Sequence, residues 1–127
     1  MELILFQPDI PQNTGSLIRL AACLKVVLHI IEPCGFPFDD KKMRRAAMDY
    51  YDLAPIVPHD SWERFLEYRA EQPGRLLLFS THASVRYTDF VFAENDMLLL
   101  GRESAGAPDY VHAKADARLK IPVQKEA

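Results

Sequence analysis

Glycine is scarce in this chain, with five residues at 15, 35, 74, 101 and 106 among 127. That spacing supplies neither a G-x-G-x-x-G turn nor a Walker A loop, so the common glycine-built sites for dinucleotides and ATP are disfavoured. Cysteine is scarcer still. Cys23 and Cys34 have neither CxxC spacing nor an ordered set of histidine partners. A disulfide framework or zinc site is therefore disfavoured, and the pair reads as reduced thiols. The longest apolar runs, VVLHII and MLLLG, fall far short of the ~20 residues needed to span a bilayer. The first residues enter a strand-like run at once, without the basic segment and long apolar stretch of a signal peptide. Nor is positive charge in excess: 15 Lys and Arg stand against 18 Asp and Glu, a net charge of -3. Any nucleic-acid contact must then come from a local basic patch. These features point to a soluble cytoplasmic protein with no membrane partner and no metal.

Hydrophobic residues make up 49% of the chain and charged residues 26%, enough for a single domain over residues 1–127 with a real core. ELILF (2–6) reads as a buried strand stopped by Pro8 and Pro11, and a helix is expected from about Thr14 to Leu24. VVLHII (26–31) reads as a second strand and PIV (55–57) as a third. Asp39 or Asp40 can cap a helix through KKMRRAAMDY, and Asp60 three residues before Glu63 forms a capping-box pattern for another. RLLLFS (75–80), DMLLLG (96–101) and ARLKIP (117–122) read as further strands. Strands that alternate with helices and are apolar on both faces predict an α/β fold, with a mostly parallel sheet covered by helices on both sides. Ligands in such sheets sit beyond the carboxyl ends of the strands, which singles out the loops after Phe6, Ser80, Leu100 and Ile121.

In the first of these loops Asn13 is a good helix N-cap residue, and Arg19 lies one turn beyond Gly15 on the same face. Helical side chains lean toward the N-terminus, so the guanidinium is expected to reach back to the cap, where backbone N–H groups favour an anion. An arginine that snorkels to solvent, or that pairs with a nearby carboxylate, fits the spacing equally well. GRESAGAP (101–108) follows a buried strand and brings Glu103 and Ser104 to a tight turn, although an ordinary strand-to-helix turn has the same look. Lys41, Lys42, Arg44 and Arg45, with Tyr50 close behind, form a candidate RNA-binding patch of phosphate-binding cations and an aromatic ring. Acids at 39, 40, 49 and 52 make a solvated helix face an equal alternative. The four histidines, at 29, 59, 82 and 112, look isolated, and no Ser/His/Asp set supports hydrolase chemistry.

Together, LFQPDIPQNTGSLIRLAA, LHIIEPCGFPFDDKKMRRAAMDYYD, LLLGRESAGAP and LKIPV resemble, in order and spacing, the SPOUT superfamily. Within it they are similar to the small tRNA (cytidine/uridine-34) 2′-O-methyltransferases, over essentially the whole chain. The resemblance implies an α/β-knot fold with a C-terminal trefoil knot, an exception to the near-absence of knots. It also implies a homodimer whose active sites are completed across the interface, and S-adenosylmethionine as cofactor, held largely by backbone. The substrate would be the anticodon loop of tRNA, methylated on the ribose of the wobble nucleotide. By position, Phe79, Gly101 and Ile121 match cofactor contacts, with Ser80 and Thr81 adjacent; Glu103 and Ser104 match the second motif. Asn13 and Arg19 match the first motif, with Arg19 as the group that binds the neighbouring phosphate and favours the developing alkoxide. Two departures accompany the likeness. Arg102 stands where many relatives have proline, and the chain stops at IPVQKEA, where the family continues into a third motif and a closing helix. From this a C-terminally truncated domain with an incomplete knot is expected. Two alternatives to a wobble-ribose methyltransferase follow: a non-catalytic module for RNA binding or dimerisation, and the same chemistry on another RNA such as ribosomal RNA.

Overall fold

A computed structural model describes residues 1–35 and 55–121. The helix expected through 41–50, with Lys41, Lys42, Arg44, Arg45 and Tyr50, lies outside the described residues. The strands are β1 (Glu2–Phe6), β2 (Leu28–Ile31), β3 (Ile56–His59), β4 (Leu76–Phe79), β5 (Val85–Arg86), β6 (Met97–Leu100) and β7 (Ala117–Lys120). They form one sheet in the order β3-β2-β1-β6-β4-β7-β5, every strand pair parallel. The helices are α1 (Pro11–Leu24), α2 (Trp62–Ala70) and the single turn α3 (Asp109–His112), with a 3-10 turn at Tyr87–Asp89.

Period-two alternation divides the core between the two faces of the sheet. Ile4, Phe6, Leu76, Leu78, Met97 and Leu99 pack against Trp62 and Phe65 of α2 and Val111 of α3. On the opposite face Leu5, Leu28 and Ile30 pack against Ile18 and Ala21 of α1. The register makes both layers continuous, with Leu5 opposite Ile30 on one side and Leu100 on the other. At the amino ends of β4 and β6, Arg75 grips buried Asp96 with Nε and Nη2 at 2.9 and 2.8 Å. Asp96 also accepts from the Ala93 amide, which anchors the turn before β6.

Two helix starts differ from expectation. α1 begins at Pro11, with Ile10 at the N-cap and no side-chain cap. Asn13 is therefore the third helical residue and not the cap. Proline at the first position loses no hydrogen bond and has its φ already set, which outweighs the asparagine signal. Because the helix starts earlier, Arg19 lies more than two turns inside it. Its Nη2 reaches back to the Ser16 hydroxyl at 3.1 Å instead of to the cap. In α2 the cap is Ser61, whose hydroxyl accepts from the Arg64 amide at 3.2 Å, and not Asp60.

The order of the last strands is unusual. β7 lies between β4 and β5, although β5 precedes it in the chain by about thirty residues. The short connection from Ser80 to Ser84 thus spans the slot that the later strand occupies.

Candidate active site

The carboxyl ends of β4, β6 and β7 open into a cleft of about 1000 Å³. Phe79, Ser80 and Thr81 line it from the end of β4, Gly101, Glu103 and Ser104 from the loop after β6, and Ile121 from the end of β7. These seven positions are far apart in sequence, and the parallel sheet brings them together by ending their strands at one level. Asn13 and Arg19 are not among the lining residues; both lie on α1, where Asn13 is exposed and Arg19 half-buried.

The loop after β6 is closed on itself. The Arg102 amide donates to the Gly106 carbonyl at 3.1 Å, and the Gly106 amide returns a bond to the Arg102 carbonyl at 2.7 Å. A Cβ on Gly101 would lie 2.6 Å from the Ala107 nitrogen, a contact with backbone that cannot give way, so this turn needs glycine. Arg102 is built into the fold. Its Nε donates to the Gly106 carbonyl at 3.2 Å and its guanidinium lies 5.7 Å from the centre of the Phe6 ring.

Glu103 and Ser104 also reach across to the loop before α1. The Asp9 amide donates to Glu103 Oε2 at 3.0 Å, and the Ser104 hydroxyl donates to Asp9 Oδ2. The two carboxyls lie close enough to shift one another's titration. Hydrogen bonds from Glu103 and then Ser104 hold the Asp9 carboxyl below its ordinary range. Burial, then the neighbouring Asp9, pushes Glu103 up. The pair is most stable when it shares one proton. The loop after β2 closes against the same point: a Cβ on Gly35 would lie 2.4 Å from Asp9 Cβ, and the Gly35 amide donates to the Pro8 carbonyl at 3.0 Å. Beside it, burial pushes the Cys34 thiol up to about 11, with Glu32 and Glu103 adding to the shift, so this thiol is unreactive at neutral pH.

Asp9 is the contact that joins the loop before α1 to the loop after β6, and it was not among the expected site residues. Its one signal is an acid set between Pro8 and Pro11. His82, Asp109 and His112 also line the cleft and were not proposed for it. The reading of four isolated histidines fails for two of them. Parallel pairing of β2 with β3 brings His29 Nδ1 to 2.9 Å from His59 Nε2, thirty residues away. Among the described residues no group of three or more His, Cys, Asp or Glu could hold a metal ion, and no helix is long and apolar enough to cross a membrane.

Over residues 1–127 the chain matches the SpoU rRNA methylase family. It belongs to that family. Among its SpoU relatives, a tRNA (cytidine(34)-2′-O)-methyltransferase of Beijerinckia indica is 54% identical over 122 residues, covering 96% of this chain and 76% of that protein. A solved structure concerned with 2-OH methylation of C/U34 on tRNA superposes with a TM-score of 0.89 at 39% identity, over 99% of this chain and 82% of the other. The SpoU methyltransferase AviRb of Streptomyces viridochromogenes, in complex with AdoMet, superposes with a TM-score of 0.85 at 25% identity, over 100% of this chain and 52% of the other.

Proposed function

We propose that this SpoU family member methylates the ribose 2′-oxygen of nucleotide 34 of tRNA, with S-adenosylmethionine as methyl donor, and that it works in the cytoplasm as a homodimer. The observation that carries the reading is the convergence of Phe79, Ser80, Thr81, Gly101, Glu103, Ser104 and Ile121 on one cleft at the carboxyl ends of the strands. The residues fit the donor. The cleft is at the upper end of the size range for small-molecule sites. Phe79, Leu100 and Ile121 offer apolar surface, and the Asp109 carboxylate, with the one negative charge kept by the Asp9–Glu103 pair, suits a ligand of positive charge. When bound, S-adenosylmethionine supplies a methyl group on a cationic sulfur; the protein must then hold and orient the ribose hydroxyl and favour loss of its proton.

Arg19 is assigned to the RNA side of that task. Ser16 fixes the direction of its guanidinium, and a guanidinium held in this way suits a two-pronged grip on the phosphate beside the reacting ribose. Asn13, one helical turn before Ser16 and Leu17, is assigned to the same surface. Because both residues lie on α1 outside the lining of the cleft, the site is completed by α1 of a second copy. Exposed Leu20 and Leu24, one turn apart on α1 at 47% and 59% exposure, support that contact. The slot that β7 occupies between β4 and β5 supports a knotted C-terminal half. The cations Lys41, Lys42, Arg44 and Arg45 and the Tyr50 ring are proposed to contact the anticodon loop.

The choice of tRNA rests on the names of the relatives at 54% and 39% identity, which specify position 34. The test is incubation of the protein with S-adenosylmethionine carrying a labelled methyl group, in parallel with unmodified tRNA and with ribosomal RNA, followed by mapping of ribose methylation. Label at nucleotide 34 of tRNA is expected. Label on ribosomal RNA alone would overturn the substrate assignment, and no label on either RNA would overturn the activity.

A further inference from the structure

The last two strands of the sheet place cations in register. Arg86 of β5 is directly opposite Lys120 of β7, and Arg118 lies two residues before Lys120. Opposite residues of paired strands share a face, and so do residues two apart on one strand. All three side chains are exposed, while Leu119 turns the other way and is buried. Neighbouring strands lie ~4.8 Å apart and the repeat along a strand is ~6.6 Å, so the three charges crowd a small area. Like charges placed directly opposite one another destabilise a sheet.

Three arginines elsewhere in the fold are paired with acids. Arg64, Arg69 and Arg75 each meet a carboxylate, from Glu67, Asp116 and Asp96. Among the described residues no carboxylate lies within ion-pair distance of Arg86, Arg118 or Lys120. Asp116, at the start of β7, is engaged by Arg69 and by the Leu76 amide. Arg118 donates through Nη2 to the His112 carbonyl at 2.6 Å, which fixes its head beside α3. Packing gives no reason for an unbalanced cationic row here, but a polyanion does.

The row also starts at the cleft. Lys120 precedes Ile121, and the residue whose carbonyl holds Arg118, His112, is itself part of the lining. His82, which opens the turn leading to β5 and Arg86, is part of the lining too.

We propose that Arg86, Arg118 and Lys120 form a phosphate track that holds the backbone of the substrate RNA beside the cleft, on the face of the sheet shared with α2 and α3. The proposal rests on the RNA-methyltransferase reading above and is distinct from the candidate patch at 41–45. A track of this kind carries no base specificity; it neutralises phosphates and sets the direction in which the strand leaves the site.

The test compares the wild-type protein with an Arg86→Gln/Lys120→Gln double variant, two side chains with no hydrogen bond to lose. Binding of fluorescent tRNA and of a single-stranded RNA oligonucleotide is measured across a range of NaCl concentrations. Alongside it are run melting curves, calorimetry with S-adenosylmethionine, and sedimentation with vesicles of acidic phospholipid. For the variant the log–log salt slope should fall by about 1.5–2 and affinity for tRNA by on the order of tenfold at moderate salt, with melting temperature and cofactor affinity unchanged. An Arg86→Lys/Lys120→Arg exchange should restore both. Unchanged RNA affinity and slope in the double variant would overturn the track, as would loss of vesicle binding with RNA binding intact. The two readings fail separately. Methylation of tRNA with an unchanged slope removes the track alone, whereas a track-dependent slope in a protein that methylates no RNA removes the enzymatic reading and leaves the track.

Discussion

Arg19 donates through Nη2 to the Ser16 hydroxyl, one turn back on the same helix. If that bond were its purpose, lysine would serve nearly as well, because it keeps the charge and most of the stem. If the guanidinium grips a phosphate, lysine loses the planar fork. We therefore expect Arg19→Lys and Arg19→Ala each to lower the methylation rate by about a hundredfold or more, with melting temperature and cofactor affinity unchanged. A fully active lysine variant, measured on purified tRNA at saturating cofactor, would make the residue structural. Glu103 poses a different question, because burial and Asp9 both favour its protonated form. An acid whose folded-state pKa is raised contributes stability at low pH and loses it as pH climbs from 4.5 through the raised value. Glu103→Gln keeps an acceptor for the Asp9 amide and gains a permanent donor toward the Asp9 carboxylate. Its melting temperature at pH 8 should equal or exceed that of the wild type, while Glu103→Ala should melt lower at every pH. A glutamine variant that melts as low as the alanine variant would show that the shared proton contributes nothing.

Between the elements, the contact with the clearest consequence is the chain Tyr68–Glu2–His29–His59, which ties α2 to β1, β2 and β3. Glu2 Oε1 accepts from the Tyr68 hydroxyl and from His29 Nε2, both at 2.9 Å, and His29 Nδ1 then faces His59 Nε2. Burial, then His29, lowers the His59 pKa from 6.5, and Asp60 and Glu2 offset only part of that shift. Its contribution to stability is thus complete above pH 6.5 and is lost as pH falls through the depressed value. Urea midpoints should drop between pH 7.5 and 5.5, and the drop should be shallower in His59→Gln; parallel curves for the two proteins would rule the effect out. This contact was invisible in the sequence because only strand register brings the two histidines together. The long strands were legible, since Leu76–Phe79 and Met97–Leu100 must be apolar on both faces to sit inside a covered sheet. β5 was not legible: two exposed residues carry no pattern, and only pairing with β7 defines them. The cleft was half legible. Small and polar residues after apolar runs marked its loops, but His112 reaches it, and Asp9 reaches the Glu103 and Ser104 that line it, through folds in the chain that no local pattern encodes.

At the scale of the whole molecule, the two helical layers are unequal. α2 buries Trp62 and Phe65 under a close-packed aromatic group, whereas α1 leaves Leu20 and Leu24 half exposed. If α1 is the surface shared by two copies, Leu20→Glu with Leu24→Glu should convert a dimer to monomers in sedimentation experiments. The variant should lose methylation while still binding S-adenosylmethionine, because the first-motif residues would no longer reach a neighbouring cleft. An unchanged sedimentation coefficient would place the interface elsewhere. The position of β7 bears on how the molecule is made and how it resists force. On the ribosome, β4 and the Ser80–Ser84 connection emerge well before β7, so the seat for the later strand must stay open until its residues arrive. Once seated, β7 is hydrogen-bonded along both edges by parallel neighbours. A pull on β7 from its carboxyl end therefore loads both ladders in shear at the same moment, so it resists an unfolding motor more than an edge strand that is peeled one bond at a time.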